Sequence, residues 1–415
     1  MRILLLTQCY EPEVAAAAVR ARGLATQWTR LGHEVTVLTG FPNYPSGRRF
    51  EGVDYGNRVL ERELRDGVEV VRAFNLFYRS GQTLRRVADG LSTLASHAAW
   101  GMLSERRWDV VVASSPHAWL LPAGILIGRS RGIPVVLDIR DHWPETVPGH
   151  RDHPLFWGAM GRMITWSYRR AAMVVGVSPS YEALARDHGL PPDRFHWIPN
   201  GLDEDRFPWP PDRDAWRRSL GLPADAFVVS FIGTLGTQMG IETLVDAARR
   251  LREMEPRIHV LLAGEGTSRA ALEAMAGPDA PNITFMDPVP ASEVHRLLGA
   301  SDASVACLED TPEHRERIPA KLWEILGYGL PLILVAGPGE AARLLEEEAR
   351  AGLRVPPGSA DALAEVLRDL AADPRRCARL GEAGRRCVLG SYTRARLAAR
   401  YADVLAALLP DGAET

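Results

Sequence analysis

Glu316 and Glu324 are separated by seven residues, Arg317-Ile318-Pro319-Ala320-Lys321-Leu322-Trp323. Pro319 and the apolar run after it predict a helix start between the two carboxylates, with Glu324 about one turn inside it. A carboxylate accepts from two neighbouring hydroxyls at once, as on a ribose. Lys321 stands between the two, and it is the only lysine: lysine plus arginine total 49, so 48 are arginine. Arginine is a planar fork, whereas lysine is a compact charge on a flexible stem that suits a tight phosphate site. First-turn amides add the positive end of a helix dipole and can converge with Lys321 on one anion. Arg317 is a second cation near the same anion. The stretch therefore offers a phosphate site and a diol site on one element, the two halves of a nucleotide or nucleotide sugar. The plainer alternative is that both glutamates are solvated helix-end charges and Lys321 a chance surface lysine.

Other residues share this placement at the ends of apolar runs. Gly233-Thr234-Leu235-Gly236 follows Phe227–Ile232 and precedes a helical stretch, Ile241–Met254. A glycine-rich loop there lets backbone amides approach an anion, although tight turns need glycine anyway. No Gly-Lys-Ser/Thr follows, so this is not a Walker motif. Gly264-Glu265-Gly266 follows His259–Ala263, but a dinucleotide fingerprint would need glycine where Arg269 stands, which argues against a dinucleotide-dependent oxidoreductase. His117 lies just past Asp109–Ser114, where a histidine could orient a sugar or move a proton, or be merely a surface or capping residue. Arg140-Asp141-His142-Trp143-Pro144-Glu145 leaves the run Pro134–Ile139 as a charged aromatic loop or a salt-bridged turn. Tyr44 belongs to a long turn-rich loop, Gly40–Gly47, of the kind that is often functional.

The elements that must position these residues alternate. Arg2–Thr7, the helix Val14–Leu31 and Glu34–Thr39 form a βαβ unit closed by Gly32-His33. Apolar points Val19, Leu24, Trp28 and Leu31 mark that helix. Further strands are expected at Val68–Phe74, Met173–Val177 and Arg194–Ile198, and in the second half at Asn282–Met286, Ala303–Leu308, Leu332–Val335 and Leu353–Val355. Helices are expected at Glu293–Leu298, Ala320–Leu326, Ala360–Ala371 and Thr393–Leu409. Pro208-Trp209-Pro210-Pro211 reads as a linker. The organisation expected is 1–205, 206–390 and a terminal helix in 391–415 packing back on the first domain, giving two doubly wound α/β domains facing across a cleft. Leu84, Val87, Leu91, Leu94, Ala98 and Met102 recur at helical spacing between Arg79, Arg85, Arg86 and Arg106, Arg107. That helix is either an ordinary core helix or one that rests on an anionic membrane.

Composition narrows the class. The 415 residues are 46% hydrophobic and 24% charged, ample for two cores. Net charge is −3, so no basic field suggests nucleic acid. The cysteines Cys9, Cys307, Cys377 and Cys387 contain no CxxC pair, which points away from zinc or a disulfide framework and towards the cytoplasm. Met1–Leu6 reads as a buried strand rather than a leader, and no run is long enough to span a membrane.

Taken together, Thr7–Glu13 with its helix, Gly32–Gly47, Arg140–Glu145, Pro199-Asn200-Gly201 and Pro319–Gly329 resemble a GT-B-fold retaining glycosyltransferase of family 4. The branch most similar makes bacterial O-antigen and capsule with amino sugars. The resemblance covers nearly the whole chain and implies sugar transfer from a nucleotide diphosphate donor, UDP-linked, to a hydroxyl acceptor, with no metal or cofactor and with domain closure over the donor. By the resemblance Glu324 holds the donor ribose, Glu316 lies nearer the sugar, and Lys321 with Gly233–Gly236 faces the diphosphate. Gly264, Arg317 and Leu322 complete the donor side. His117, Tyr44, Arg140 and Asp141 are the acceptor side, with His117, Glu316 and Lys321 as catalytic candidates. The acceptor implied is a glycan, a lipid-linked glycan or a small molecule, with peripheral membrane contact possible. The chain departs from the family's pattern at Ala15–Ala18, where glycines are usual, at Thr237, Gln238 and Met239, where an Arg and a Lys are usual, and around Glu316, which lacks the Gly-Phe-Gly company. A nucleotide-sugar 2-epimerase-like isomerase and a silent nucleotide-sugar-binding protein share the fold and stand as rivals.

Overall fold

The computed structural model describes residues 1–13, 15–44, 47–50, 53, 59–77, 83–141, 154–206, 209, 212–236, 239–278 and 280–410. The chain divides into two compact units, Met1–Asn200 with Arg394–Thr415, and Gly201–Thr393. The division falls at Asn200 rather than at 205, because Leu202 donates its N–H to Tyr392 O at 2.8 Å and its side chain packs against Gly327, both in the second unit. The expected loop residues Pro45, Ser46 and His142–Glu145, the linker residues Pro208, Pro210 and Pro211, and Val14, Arg79, Thr237 and Gln238 lie outside the described residues.

The first unit is built on eight strands: β1 (Arg2–Leu6), β2 (Glu34–Gly40), β3 (Leu60–Arg65), β4 (Val68–Ala73), β5 (Val110–Ser114), β6 (Val135–Ile139), β7 (Met173–Gly176) and β8 (Phe195–Trp197). Their order is β3-β4-β2-β1-β5-β6-β7-β8, and only the β3–β4 pair is antiparallel. β5 and β6 are buried at every position and mostly apolar, as parallel strands covered on both faces must be, with Ser114 and Asp138 as the polar exceptions. β3 reads Leu-Glu-Arg-Glu-Leu-Arg and offers no apolar face; an edge strand needs none, so its sequence carried no strand signal. The helices of this unit are α1 (Ala16–Arg30), α2 (Thr83–Leu103), α3 (Leu120–Arg131), α4 (Pro154–Tyr168) and α5 (Tyr181–Asp187). Leu24 and Trp28 of α1 are buried as the periodicity predicts, whereas Leu31 falls just past the helix end and is exposed. The last helix, Arg394–Ala406, lies on α1: Trp28 Nε1 donates to Ala398 O at 3.1 Å, and the Trp28 ring meets Tyr401 edge-on at 5.2 Å.

An ion pair lies inside this unit. Arg20 on α1 donates through Nη2 and Nε to Asp138 on β6, at 2.8 and 3.2 Å, and through Nη1 and Nη2 to the carbonyls of Pro199 and Ile198, at 2.9 and 3.1 Å. Ser114 Oγ completes the shell of Asp138 at 2.7 Å. Burial works to raise the Asp138 carboxyl, and Arg20 outweighs it, so the group is held below the usual carboxylate range.

The second unit carries six parallel strands: β9 (Phe227–Ile232), β10 (Ile258–Ala263), β11 (Ile283–Met286), β12 (Ala303–Cys307), β13 (Leu332–Val335) and β14 (Gly352–Val355), in the order β11-β10-β9-β12-β13-β14. The helices are α6 (Arg213–Ser219), α7 (Glu242–Met254), α8 (Arg269–Ala276), α9 (Val294–Ala300), α10 (Pro312–Arg315), α11 (Lys321–Gly327), α12 (Glu340–Arg343), α13 (Ala360–Ala372) and α14 (Pro374–Ser391). Strand order reverses at β9, which pairs with both β10 and β12; in the first unit β1 is flanked likewise by β2 and β5. Ligands of open α/β sheets bind at the carboxyl ends of strands at such a reversal.

Two loops at that end of the second sheet are pressed together. Gly233 N donates to Ala263 O, and Leu235 N to Glu265 O, each at 2.9 Å. A Cβ on Gly264, whose φ is +151°, would stand 1.9 Å from Gly233 O. Arg269, which replaces the glycine of a dinucleotide loop, clips this loop instead: its Nη1 donates to Gly264 O at 3.1 Å and to Asp287 at 2.8 Å.

Two outcomes are expected. Arg20→Ala strands a buried carboxylate and loses about 3–5 kcal/mol of stability at neutral pH by urea unfolding. The folded pKa of Asp138 is depressed, so its contribution is present above the unfolded value and disappears as pH falls through the folded one. The gap between wild type and Asp138→Asn therefore narrows below about pH 4. Gly264→Ala costs roughly 1–3 kcal/mol and lowers the melting temperature. Gly277→Ala, also at positive φ but with no atom within 4 Å, is the milder control.

Candidate functional site

In the second unit the residues at the strand reversal converge. Lys321 opens α11, and its ammonium lies 4.3 Å from the centre of the Phe231 ring on β9. A Cβ on Gly233 would be 2.7 Å from Lys321 Nζ, so the glycine leaves the space that the lysine occupies. Among the described residues no carboxylate lies within ion-pair distance of Lys321. Burial lowers its pKa, against the opposing pull of Cys307 and Glu324. Cys307, at the end of β12, is fully enclosed, and burial pushes its thiol up to about 12.

The amides here divide. Those of Gly233 and Leu235 are engaged across the two loops, whereas among the described residues those of Thr234 and Gly236 have no backbone partner. Alternate amides, rather than the whole loop, are open to a ligand. At the start of α11 the N–H of Leu322 donates to Pro319 O at 3.1 Å and that of Trp323 to Ala320 O at 3.3 Å. The first turn therefore does not present those amides, and the Leu322 side chain is wholly buried. Of the first-turn amides expected to face an anion, those of Leu322 and Trp323 are thus taken up at the helix start. Gly264 contributes close loop packing, and Arg317 donates its N–H to His314 O at 3.2 Å.

The two glutamates have different surroundings. Glu324 is half-buried within α11 and acts electrostatically on Lys321. Glu316 ends α10, where burial and then the charges of Glu313 and Glu340 raise its carboxyl. The structure thus associates Lys321 with Glu324 and sets Glu316 in an acidic neighbourhood.

In the first unit the carboxyl ends of β1, β2, β5 and β6 carry the remaining candidates. Glu13, buried, accepts the N–H groups of Asn43 and Tyr44 on Oε1, at 3.0 and 2.8 Å, and that of Tyr10 on Oε2 at 3.2 Å. It ties the loop after β1 to the loop after β2, a role the sequence did not reveal because one more loop glutamate carries no signal. Burial first, then Cys9, Asp141 and Glu13, push the Tyr44 hydroxyl up. Arg140 donates its N–H to Ser115 Oγ at 2.7 Å and accepts Tyr181 OH on its carbonyl at 3.3 Å. Its guanidinium is lowered by burial and by Arg20, and its Nε and Nη1 are enclosed with no hydrogen-bond partner among the described residues. Asp141 lies beside it and opposes that shift.

His117 is neither a surface residue nor a cap. It is buried, with Nε2 3.2 Å from Asp89 Oδ2 on α2, while Nδ1 is enclosed without a partner among the described residues. His97 lies near it, and its pKa is lowered to about 3 by burial, with the neighbouring His117 imidazole adding to the effect. Asp89 and His97 were missed because they interrupt an otherwise apolar helical pattern. Among the described residues no group of three His, Cys, Asp or Glu side chains could hold a metal ion.

This geometry has relatives. Residues 15–201 match the model of the Glycosyl transferase 4-like domain, and residues 212–387 match that of Glycosyl transferases group 1. The Escherichia coli (strain K12) protein WcaI, named as a glycosyl transferase of colanic acid biosynthesis, is 26% identical over 89% of this chain and 91% of its own. The D-inositol 3-phosphate glycosyltransferase of Xylanimonas cellulosilytica is 31% identical over 73% of each chain. Among solved structures, Anabaena HepE in complex with UDP-glucose superposes with a TM-score of 0.70 at 17% identity, covering 98% of this chain and 100% of the other. A strand reversal carrying an isolated lysine, a matched domain in each half and a relative of this identity lead to one assignment: the chain belongs to the family 4 glycosyltransferases of the GT-B fold, and it is a transferase enzyme.

Proposed function

We propose that the enzyme moves a sugar, an N-acetylhexosamine or related hexose, from a UDP-sugar to a hydroxyl acceptor with retention of anomeric configuration. The observation that carries the reading is Lys321: a partly buried ammonium at the β9 reversal, over Phe231 and against Gly233, with no carboxylate within ion-pair distance among the described residues. A diphosphate supplies the missing charge, and charge-assisted hydrogen bonds form to it. The amides of Thr234 and Gly236 add neutral donors. Glu324 accepts from the ribose hydroxyls, and Glu316 faces the sugar. HepE has been crystallised in complex with UDP-glucose, and the inositol-phosphate and colanic-acid relatives are named for glycan or glycoside synthesis. These relatives support a UDP-sugar donor and a role in bacterial glycan or glycoside synthesis.

Negative charge grows on the diphosphate as the glycosidic bond breaks. A cation already held in a poorly solvated place stabilises that growth without reorganising. The acceptor hydroxyl attacks the face that the diphosphate leaves, and its proton passes to the leaving phosphate, so no protein base is required. His117, Arg140, Asp141 and Tyr44 orient the acceptor or the sugar. The acceptor is a glycan, a lipid-linked glycan or a small alcohol, which accords with peripheral residence at a membrane.

UDP titration calorimetry tests the donor site. Lys321→Ala is expected to weaken UDP by roughly tenfold to a hundredfold, consistent with a lost charged hydrogen bond. Glu324→Ala is expected to weaken UDP by about tenfold while leaving inorganic diphosphate unaffected. Unchanged UDP affinity in both folded variants would sink the assignment. The depressed Lys321 pKa gives a second readout. The ammonium is present below that pKa, so wild-type affinity falls as pH rises through it, earlier than an ordinary lysine near pH 10.4 would allow. Lys321→Arg is expected to abolish that alkaline decline.

A further inference from the structure

The segment that follows β5 is pinned from two sides. Ser115 donates its N–H to Asp138 O at 2.9 Å, and its Oγ accepts the N–H of Arg140 at 2.7 Å, which ties it to β6 and the residue after it. Two residues on, His117 turns to α2, with Nε2 3.2 Å from Asp89 Oδ2. The carbonyl of His117 accepts the N–H of Leu120 at 3.0 Å and so opens α3. Trp119 lies over Gly90, where a Cβ would collide with the indole nitrogen. Gly90 is the residue after Asp89, so one turn of α2 supplies the carboxylate and makes room for the indole.

Asp89, Thr93 and His97 recur at every fourth position of α2, and all three are buried. A carboxylate in such a place needs a hydrogen-bond donor. Among the described residues the one side chain that meets the Asp89 carboxylate is His117, and no arginine or lysine pairs with it. A carboxylate oxygen accepts, so the proton of the ring lies on Nε2. The other tautomer would set the Nε2 lone pair against Oδ2. A doubly protonated ring would enclose an N–H at Nδ1 with nothing to receive it, because Nδ1 has no partner among the described residues. The bond made by one ring nitrogen thus sets the state of the other, and Nδ1 carries a bare lone pair.

We propose that Asp89 is a positioning residue that locks His117 as the Nε2–H tautomer and leaves Nδ1 as the acceptor for a substrate hydroxyl. The inference rests on the reading that His117 orients the acceptor or the sugar, and it deepens that reading by naming the atom that meets the substrate. A lone pair takes a hydroxyl or an N–H, whereas a phosphate or carboxylate oxygen finds no donor there. Nδ1 is covered in the free protein, so the hydroxyl reaches it as the substrate displaces that cover. Arg140, held on the other side of Ser115, has the opposite polarity, with Nε and Nη1 as donors that lack a partner among the described residues. The edge of the sheet therefore carries an acceptor and a donor on either side of one pinned serine. Asp89 touches no substrate in this arrangement and acts through the ring that it holds.

The test is nitrogen NMR of the full chain isotopically labelled at histidine, with the His117 signal assigned by its loss in His117→Gln. Wild type is expected to show a protonated Nε2 and a bare Nδ1. Asp89→Asn replaces an oxygen that only accepts by an amide that also donates. It is expected to lower the ratio of the Nε2–H to the Nδ1–H form about tenfold or more. Thr93→Val, also buried on the same face of α2, is the control for a merely structural change and keeps the wild-type ratio. Excess N-acetylglucosamine is expected to move the wild-type Nδ1 resonance, and inorganic phosphate is not. A proton on Nδ1 in wild type overturns the proposal whether or not the variant folds. An unchanged ratio in folded Asp89→Asn overturns it too, as does an Nδ1 that responds to phosphate or to neither probe. UDP titration of wild type is read separately: absence of UDP binding strikes the donor reading and leaves the tautomer result standing.

Discussion

The close approach of two backbone loops governs the second unit. Gly233 and Gly264 meet at a separation where a side chain on either would collide, with the backbone at one and with Lys321 at the other. Because the carbonyls and alternate amides bind each other, the loops form one rigid rim around the ends of β9 and β10. Lys321 fills the space that the missing side chain leaves. Its head rests on an aromatic face, and among the described residues no carboxylate lies within ion-pair distance of it. Poor solvation with weak compensation is costly to the free protein and favourable to whatever anion relieves it. The electrostatics around Lys321 therefore follow from glycine placement as much as from the lysine.

The first unit is organised around a different solution to a buried charge. Arg20 and Asp138 neutralise each other, and the remaining donors of Arg20 are used on the carbonyls of Ile198 and Pro199. A fully satisfied pair of this kind joins α1, β6 and the end of β8 without leaving an orphan. Arg140, two residues along from Asp138, is the contrast. It is repelled by Arg20 and has two enclosed nitrogens with no partner among the described residues. One arginine is thus fully engaged in the scaffold, and the other keeps enclosed donors without a partner among the described residues, at the carboxyl edge of the same sheet.

Polar groups facing inward have a consequence for the surface. Asp89 is drawn into the unit to meet His117, and Thr93 and His97 follow it on the same face of α2. A helix has only two sides, so aliphatic residues are left facing water. Burying the histidine's partner and exposing an apolar stripe are therefore linked features of one 21-residue helix.

Residue order was enough to dictate the alternation of strands and helices, the parallel sheets and the pairing of Lys321 with Glu324 on one short helix. Runs such as Val110–Ser114 and Phe227–Ile232 carry their own signal, because a strand covered on both faces must be mostly apolar. β3 escaped because an edge strand is free of that demand. Which amides stay open was settled only by folding, since Gly233 and Leu235 are consumed by residues some thirty positions away. Folding also chose the partners of Arg20 and His117, which link α1 to β6 and the segment after β5 to α2, distances in sequence that no local pattern reports. The face of α2 that meets water was chosen in the same way. Periodicity marks that a helix has an apolar face, but when both faces are apolar only the packing of Asp89 and His97 selects the inner one.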